Sequence, residues 1–173
     1  MEFTLEILKI TLPSLFVFFA GYFAIKAVFK KDIDKRKLEI VLDNKKIVTP
    51  IRLKAYERVI LFLERISPES LIIRIRVEGT TNAQLHQALL EAVRQEFEHN
   101  LSQQLYLSDK AWSVCLNSKE NIIKLINTSF FNLDPKGSSI QLSKNIIEAK
   151  LNNDINIIES AISLIKKEIS TIF

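Results

Sequence analysis

The feature that most constrains the fold is an apolar run near the N-terminus, residues 10–29, in which Lys26 is the only charged side chain. A helix of these 20 residues would be about 30 Å long, which matches the hydrocarbon core of a bilayer. Lys26 lies near the end of the run, where its long side chain can reach the headgroups. Pro13 lies in the first turn, where its missing N–H costs least. The run therefore predicts a transmembrane helix.

Two other interpretations of this run are disfavoured. A cleavable signal peptide begins with basic residues, whereas Glu2 and Glu6 outnumber Lys9 here and no small-residue cleavage pair follows the apolar core. A buried helix of a soluble protein rarely keeps 16 residues uncharged, as residues 10–25 are, with Phe on every face. We therefore expect an uncleaved anchor.

The charges that flank the run predict its orientation. Only Lys9 precedes it, and five basic residues follow it: Lys30, Lys31, Lys35, Arg36 and Lys37. Positive charge stays on the cytoplasmic side of a membrane. We expect one pass through the cell inner membrane, with the N-terminus outside and residues 30–173 in the cytoplasm. Contact with anionic lipid headgroups is a second role for the cluster, although Asp32 and Asp34 weaken it.

The rest of the chain is expected to be helical. Three Gly and four Pro cannot supply the turns that a β-sandwich or barrel needs about every 8–12 residues. Capping signals begin at Thr49, Ser67, Thr81 and Ser138. They predict helices at 50–66, 68–77, 82–107, 109–133 and 139–172. Arg74 and Arg76 alternate with apolar residues, so a strand at 71–77 stays open.

The predicted fold class is all-α: an N-terminal transmembrane helix followed by a cytoplasmic bundle of about four to five helices. The domains are a tail and anchor at 1–29, a basic juxtamembrane connector at 30–48 and a helical domain at 49–173. The connector forms either a hairpin around Asp43–Asn44 or an extension of the anchor helix. Residues 51–66 are not a second span, because their longest uncharged run, residues 59–63, is far too short to cross a bilayer. Five of their charged residues share one arc of about 120°: Lys54, Glu57, Arg58, Glu64 and Arg65.

The end of the chain carries apolar residues at alternating spacings of four and three. They form a candidate helix-partner face: Leu151, Ile155, Ile158, Ile162, Ile165, Ile169 and Ile172. Isoleucine at both core positions of a coiled coil would favour trimers or tetramers. Ile157 and Leu164 widen the apolar face, as a globular bundle needs. Packing within the chain and packing between chains both stay open.

Few residues suggest chemistry. Glu96 and His99 have the i,i+3 spacing of a di-iron helix, but the second such motif is missing. Cys115 is the only cysteine, which suits a reducing compartment and the role of a small core residue. Several polar residues near His99 form a candidate interaction surface: Glu98, His99, Asn100, Gln103, Gln104 and Tyr106. We expect no catalytic residues, no metal site and no cofactor.

Two stretches, PIRLKAYERVILFLERISPESL and EFEHNLSQQLYLSDKAW, resemble an uncharacterised family of short bacterial proteins. The resemblance covers roughly residues 8–130 and implies one N-terminal transmembrane helix with a helical cytoplasmic part. The favoured hypothesis is a membrane-tethered helical scaffold, or an accessory subunit of an inner-membrane complex, with a protein partner or as a homo-oligomer. The alternatives are a protein that binds anionic lipid or nucleic acid through the basic connector, and an enzyme with a metal near Glu96 and His99.

Overall fold

The structure is a computed structural model of the 173-residue chain. It describes residues 2–152 and 156–172, and the side chains of residues 15–151 and 156–171. The helices are α1 Glu2–Arg65, α2 Pro68–Ile75, α3 Asn82–Asn100, a 3₁₀ helix Leu101–Leu105, α4 Asp109–Phe130, α5 Ser139–Asn152 and α6 Ile157–Ile172. The predicted all-α fold is confirmed. In the described residues the only β-type pairing is an isolated bridge between Thr81 and Ser138.

The chain divides into two compact units, Met1–Thr49 and Pro50–Phe173. The first unit consists of the N-terminal part of α1, so the alternative of a hairpin around Asp43–Asn44 is wrong. Every side chain from residue 15 to residue 48 is exposed. Across the residues searched, which are those the structure describes, none of the helices is both long enough and apolar enough to cross a membrane. The predicted span also includes residues 10–14, whose side chains lie outside the described ones, so the anchor stays a prediction.

The expected helix start at Thr49–Pro50 is wrong, because α1 continues through it. Proline has a helical φ, so its presence removes one backbone hydrogen bond and strains the helix locally without requiring an end there. The charged arc predicted for residues 51–66 is confirmed, since Lys54, Glu57, Arg58, Glu64 and Arg65 are all exposed. The opposite side of this part of α1 enters the core through Tyr56, Val59, Phe62 and Leu63, and Ile66, directly after the helix, joins them.

The middle of the chain follows its capping signals. Residues 71–75 are helical rather than extended, because α2 continues to Ile75. The predicted capping box at Thr81 is confirmed: Gln84 Oε1 accepts from the Thr81 N–H at 2.9 Å, and Thr81 Oγ1 accepts from the Gln84 N–H at 3.3 Å. The helix expected over 82–107 ends early, at Asn100. Asn100 Nδ2 donates to the Glu96 carbonyl at 2.8 Å, and such a side-chain bond competes with the helical ladder.

The single helix predicted over 139–172 is wrong. α5 ends at Asn152, Asn156 is not helical, and α6 begins at Ile157; residues 153–155 lie outside the described ones. The sequence around this break is rich in Asn, whose side chain bonds to nearby backbone and disfavours helix interiors. The break allows both α5 and α6 to pack against α4.

α6 is also joined to α1 through a buried tyrosine. Tyr56 is 0% exposed, and its hydroxyl donates to Glu168 Oε1 at 2.5 Å. Burial and the hydrogen bond to the Glu168 carboxylate raise the pKa of Tyr56 above its ordinary value. The phenol therefore stays protonated and keeps donating to Glu168 at neutral pH.

Candidate functional site

A groove lies within the second unit, between the C-terminal parts of α1 and α3. Its volume is about 560 Å³, and one wall is formed by the charged arc of α1 together with Ile60, Leu61 and Phe62. Glu96, His99 and Asn100 form the other wall. The groove therefore combines an apolar floor with charged groups of both signs along its edges.

Glu96 is the centre of the electrostatics of the groove. Its side chain is 15% exposed, and Oε1 lies 2.8 Å from Arg65 Nε and 2.5 Å from Arg74 Nη1. Arg74 Nη2 also donates to the Arg65 carbonyl oxygen at 3.2 Å. This arrangement, the Arg65–Glu96–Arg74 cluster, joins α1, α2 and α3. One carboxylate is paired with two guanidinium groups, so the cluster has a net positive charge.

The cluster includes the glutamate of the Glu96-x-x-His99 motif. A metal ligand needs a carboxylate whose oxygens are free to face the ion, whereas Glu96 is occupied by two cations. Within the described residues, no three His, Cys, Asp or Glu side chains come together as a metal ion requires. His99 lines the groove beside the cluster, where it is exposed to solvent.

The candidate interaction surface is divided by the end of α3. His99 and Asn100 line the groove, and Asn100 is only 8% exposed. Gln103 and Gln104 lie in the 3₁₀ helix and Tyr106 follows it, and none of the three lines the groove. Glu98 is exposed and is not part of the groove lining. Of the six residues, the groove lining includes His99 and Asn100, and their role together as an interaction surface stays a prediction.

An aromatic cluster beneath the groove was not anticipated from the sequence. The Phe97 ring centroid lies 6.0 Å from that of Phe62 and 5.5 Å from that of Trp112. Lys119 Nζ lies 4.4 Å from the Phe97 centroid, within range of a cation–π contact. Phe62 belongs to both the core and the groove, so the floor of the groove rests on packed aromatic side chains. No local pattern indicates this cluster, because its members come from α1, α3 and α4.

Cys115 lies in the core, as the sequence suggests. It is 1% exposed, and its Sγ–H donates to the Ala111 carbonyl. Burial raises the pKa of the Cys115 thiol to about 12. A thiol that stays protonated at neutral pH is a poor nucleophile.

Neither of the other two predicted sets contributes to the lining of the groove. Lys30, Lys31, Lys35, Arg36 and Lys37 are all exposed on α1, and Arg36 Nε lies 3.1 Å from Asp32 Oδ2. The candidate helix-partner face is divided. Ile158, Ile162 and Ile165 are buried within the chain, Ile169 is half-buried, and Leu151 is 72% exposed. Ile155 and the side chain of Ile172 lie outside the described residues.

A family model described as a family of unknown function, DUF7935, matches residues 2–172. The chain belongs to the DUF7935 family. No curated protein and no solved structure matches it. The expected membership in an uncharacterised family is thereby confirmed, and the match includes the C-terminal helices that the sequence motifs left out. The bacterial origin and the membrane anchor that the resemblance implied stay predictions.

In this DUF7935 protein we expect Glu96→Gln to lower the free energy of unfolding by about 1–2 kcal/mol, because the two arginines lose their shared counter-charge while the shape is kept. Urea unfolding followed by the fluorescence of Trp112, the only tryptophan, measures the change. Glu98→Gln is the matched control, since Glu98 is exposed on the same helix. Equal unfolding midpoints for the two variants would show that the cluster does not stabilise the fold.

Proposed function

We propose that this DUF7935 protein is a membrane-tethered helical module, which serves as a scaffold or an accessory subunit of a membrane complex. Residues 10–29 anchor it, and the second unit is the part that a partner contacts. The observation that carries the proposal is the exposure of apolar side chains around the whole circumference of α1 between residues 15 and 29.

The exposed side chains in this stretch are large. Phe16 is 77% exposed, Phe23 63% and Phe29 65%. At 100° per residue, Phe16, Phe18 and Phe19 point to different sides of the helix. A helix that is apolar on all sides is stable only when it is surrounded by apolar material. Lipid tails surround such a helix with apolar material on every side.

The length of the run fits the same environment. The described side chains cover residues 15–29, about 22 Å of helix at 1.5 Å per residue. Five more residues of the apolar run, 10–14, precede them in the sequence. Together they approach the roughly 30 Å of a bilayer core.

The basic cluster supports an orientation for the proposed anchor. Lys30, Lys31, Lys35, Arg36 and Lys37 are exposed directly after the run. A cluster of this kind stays on the cytoplasmic side, so we propose that the second unit lies in the cytoplasm next to the membrane.

The second unit offers surfaces for a partner. Ile73 is 82% exposed, Leu105 78% and Phe131 84%. The groove adds charged groups of both signs around an apolar floor. An apolar surface rimmed by polar groups, as in the groove, is typical of sites that bind other molecules.

Extraction of membranes with alkaline carbonate tests the tether. We expect the full chain to stay in the pellet, and Val17→Arg/Phe19→Arg to move into the soluble or aggregated fraction, because each Arg at the centre of a span costs about 2.5–3.5 kcal/mol. Leu38→Arg/Leu42→Arg is the matched control: both leucines are exposed on α1 beyond the run, and this variant should stay in the pellet. Release of the unmodified chain by carbonate, or retention of all three proteins, would contradict the proposal.

A further inference from the structure

An apolar stripe runs along α1 after the basic cluster begins. Ile33, Ile40 and Ile47 follow each other at intervals of seven residues and are 51%, 61% and 65% exposed. Val41 and Val48, also seven residues apart, are 50% and 48% exposed. At 100° per residue these five side chains share an arc of about 120°. These five residues form the connector stripe, and all of them belong to the first unit.

Four charged residues of the same segment form two ion pairs away from the stripe. Arg36 Nε lies 3.1 Å from Asp32 Oδ2, and Lys46 Nζ lies 3.0 Å from Asp43 Oδ1. These four residues occupy a separate arc of about 80° on the helix. The segment is therefore amphipathic, with paired charges on one side and the connector stripe on another.

The connector stripe needs another apolar surface to pack against. No residue between 15 and 48 is buried in the structure. Helices in proteins owe most of their stability to the packing of an apolar face, and isolated ones are marginal in water. The proposed bilayer covers residues 10–29 only, which leaves the connector stripe in an aqueous environment.

We propose that a second copy of this chain covers the connector stripe, in a parallel two-stranded coiled coil over residues 33–48. An exact repeat of seven residues is typical of a coiled-coil seam, whereas a face that packs on a globular core drifts with the 3.6-residue period. The stripe has this repeat in both its Ile and its Val positions.

Asn44 identifies the partner as another copy. It lies on the stripe between Ile40 and Ile47, so it faces the seam. An amide side chain both donates and accepts hydrogen bonds, so Asn44 of one chain can pair with Asn44 of the other. A buried Asn at such a position favours two strands in a fixed register. Lys37 lies seven residues before Asn44 and occupies the same position of the heptad. A charged residue there also disfavours assemblies of three or four strands, whose seams are more apolar.

The parallel orientation rests on the proposed function, because two chains anchored in one membrane enter the cytoplasm in the same direction. Confinement in the membrane also raises the effective concentration of each chain for the other. A seam of little more than two heptads can therefore pair in the membrane although it would be weak in dilute solution.

Cysteine crosslinking of the full chain in membranes tests the pairing. Ile33→Cys, Ile40→Cys and Ile47→Cys should each give a disulfide-linked dimer, because facing core positions bring Cα atoms within the roughly 4.4–6.8 Å that a disulfide needs. Leu42→Cys is the matched control, since Leu42 is exposed on α1 outside the stripe, and it should give only background. Cys115 can stay in place because it is 1% exposed. An antiparallel pair centred on Ile40 would crosslink at that position but not at the other two.

The outcomes separate this proposal from the tether. Dimers at all three stripe positions, with background at Leu42, support parallel pairing. Crosslinking as strong at Leu42, crosslinking at Ile40 alone, or a crosslink to a protein of different mass overturns it. Carbonate extraction of the same variants tests the anchor separately. If no dimer forms but the chain stays in the pellet, the pairing is wrong and the tether is unaffected. If dimers form at all three positions but carbonate releases the chain, the tether is wrong, and the membrane no longer explains the parallel orientation.

Discussion

Ile165→Ala should lower the free energy of unfolding by about 2–5 kcal/mol, the usual cost of truncating a fully buried Ile. Ile165 is 0% exposed and belongs to the hydrophobic core of the second unit. Its side chain lies on α6, which packs on α4, so the truncation leaves a cavity that the surrounding helices cannot fill. Trp112 on α4 reports the loss as a lower urea midpoint.

Leu151→Ala is the control that makes this result informative. Leu151 shares the four–three spacing of Ile165 in the sequence, but it is 72% exposed. We expect its truncation to change the free energy of unfolding by less than about 0.5 kcal/mol. If residues 151–172 instead packed between chains as one seam, both variants would lose stability together, and the loss would depend on protein concentration.

The comparison of Leu151 with Ile165 shows where the sequence pattern stops being informative. Spacing places both residues on one face of a continuous helix. α5 ends at Asn152 and α6 begins at Ile157, so the two residues belong to different helices. The sequence around this point is rich in Asn, a residue type that disfavours helix interiors. Periodicity measures the length of an apolar face but not whether the backbone stays helical along it.

Helix starts were more predictable than helix ends. The capping box at Thr81 acts through neighbours three residues away, so the sequence contains all of its information. The early end of α3 coincides with a bond from the Asn100 side chain to the Glu96 carbonyl, and a single Asn gives only a weak signal for a helix end in the sequence. Such a signal can also mislead: Thr49–Pro50 is a strong start signal, yet α1 continues through it.

The groove could not be predicted because it depends on pairs that are distant in sequence. Arg65 and Glu96 are 31 residues apart, and Arg74 joins them from a third helix. The sequence identified His99 and Asn100 but grouped them with residues such as Tyr106 that lie elsewhere. It also assigned Glu96 to a metal alternative, since i,i+3 spacing contains no information about the arginines that occupy it.

Asn82 is a further residue that the sequence did not single out, and its truncation has the second large expected effect. Asn82 is 0% exposed at the start of α3. Its Nδ2 donates to the Asp134 carbonyl at 2.9 Å and to Gln141 Oε1 at 3.3 Å, while Oδ1 accepts from the Leu142 N–H at 3.2 Å. Gln141, three residues after the capping signal at Ser138, uses its side chain to accept from Asn82.

Asn82→Ala should lower the free energy of unfolding by about 2–4 kcal/mol, because it removes a cap from α5 and leaves the buried Leu142 N–H without an acceptor. Urea unfolding followed by Trp112 fluorescence measures the loss, and faster hydrogen exchange at the Leu142 amide locates it. Asn132→Ala is the matched control, since Asn132 is exposed. Equal midpoints for the two variants would show that the buried bonds contribute nothing net.

Asn82→Asp separates the hydrogen bonds of Asn82 from its volume. The substitution keeps the acceptor for Leu142 but turns a carboxylate toward two acceptor oxygens, so we expect a loss at pH 7 at least as large as that of Asn82→Ala. Burial raises the pKa of such a carboxyl, and its protonated form can donate a hydrogen bond again. Because the folded-state pKa is raised, the deficit relative to the unmodified chain should shrink as the pH falls through that value. A deficit that does not depend on pH would assign the effect to shape alone.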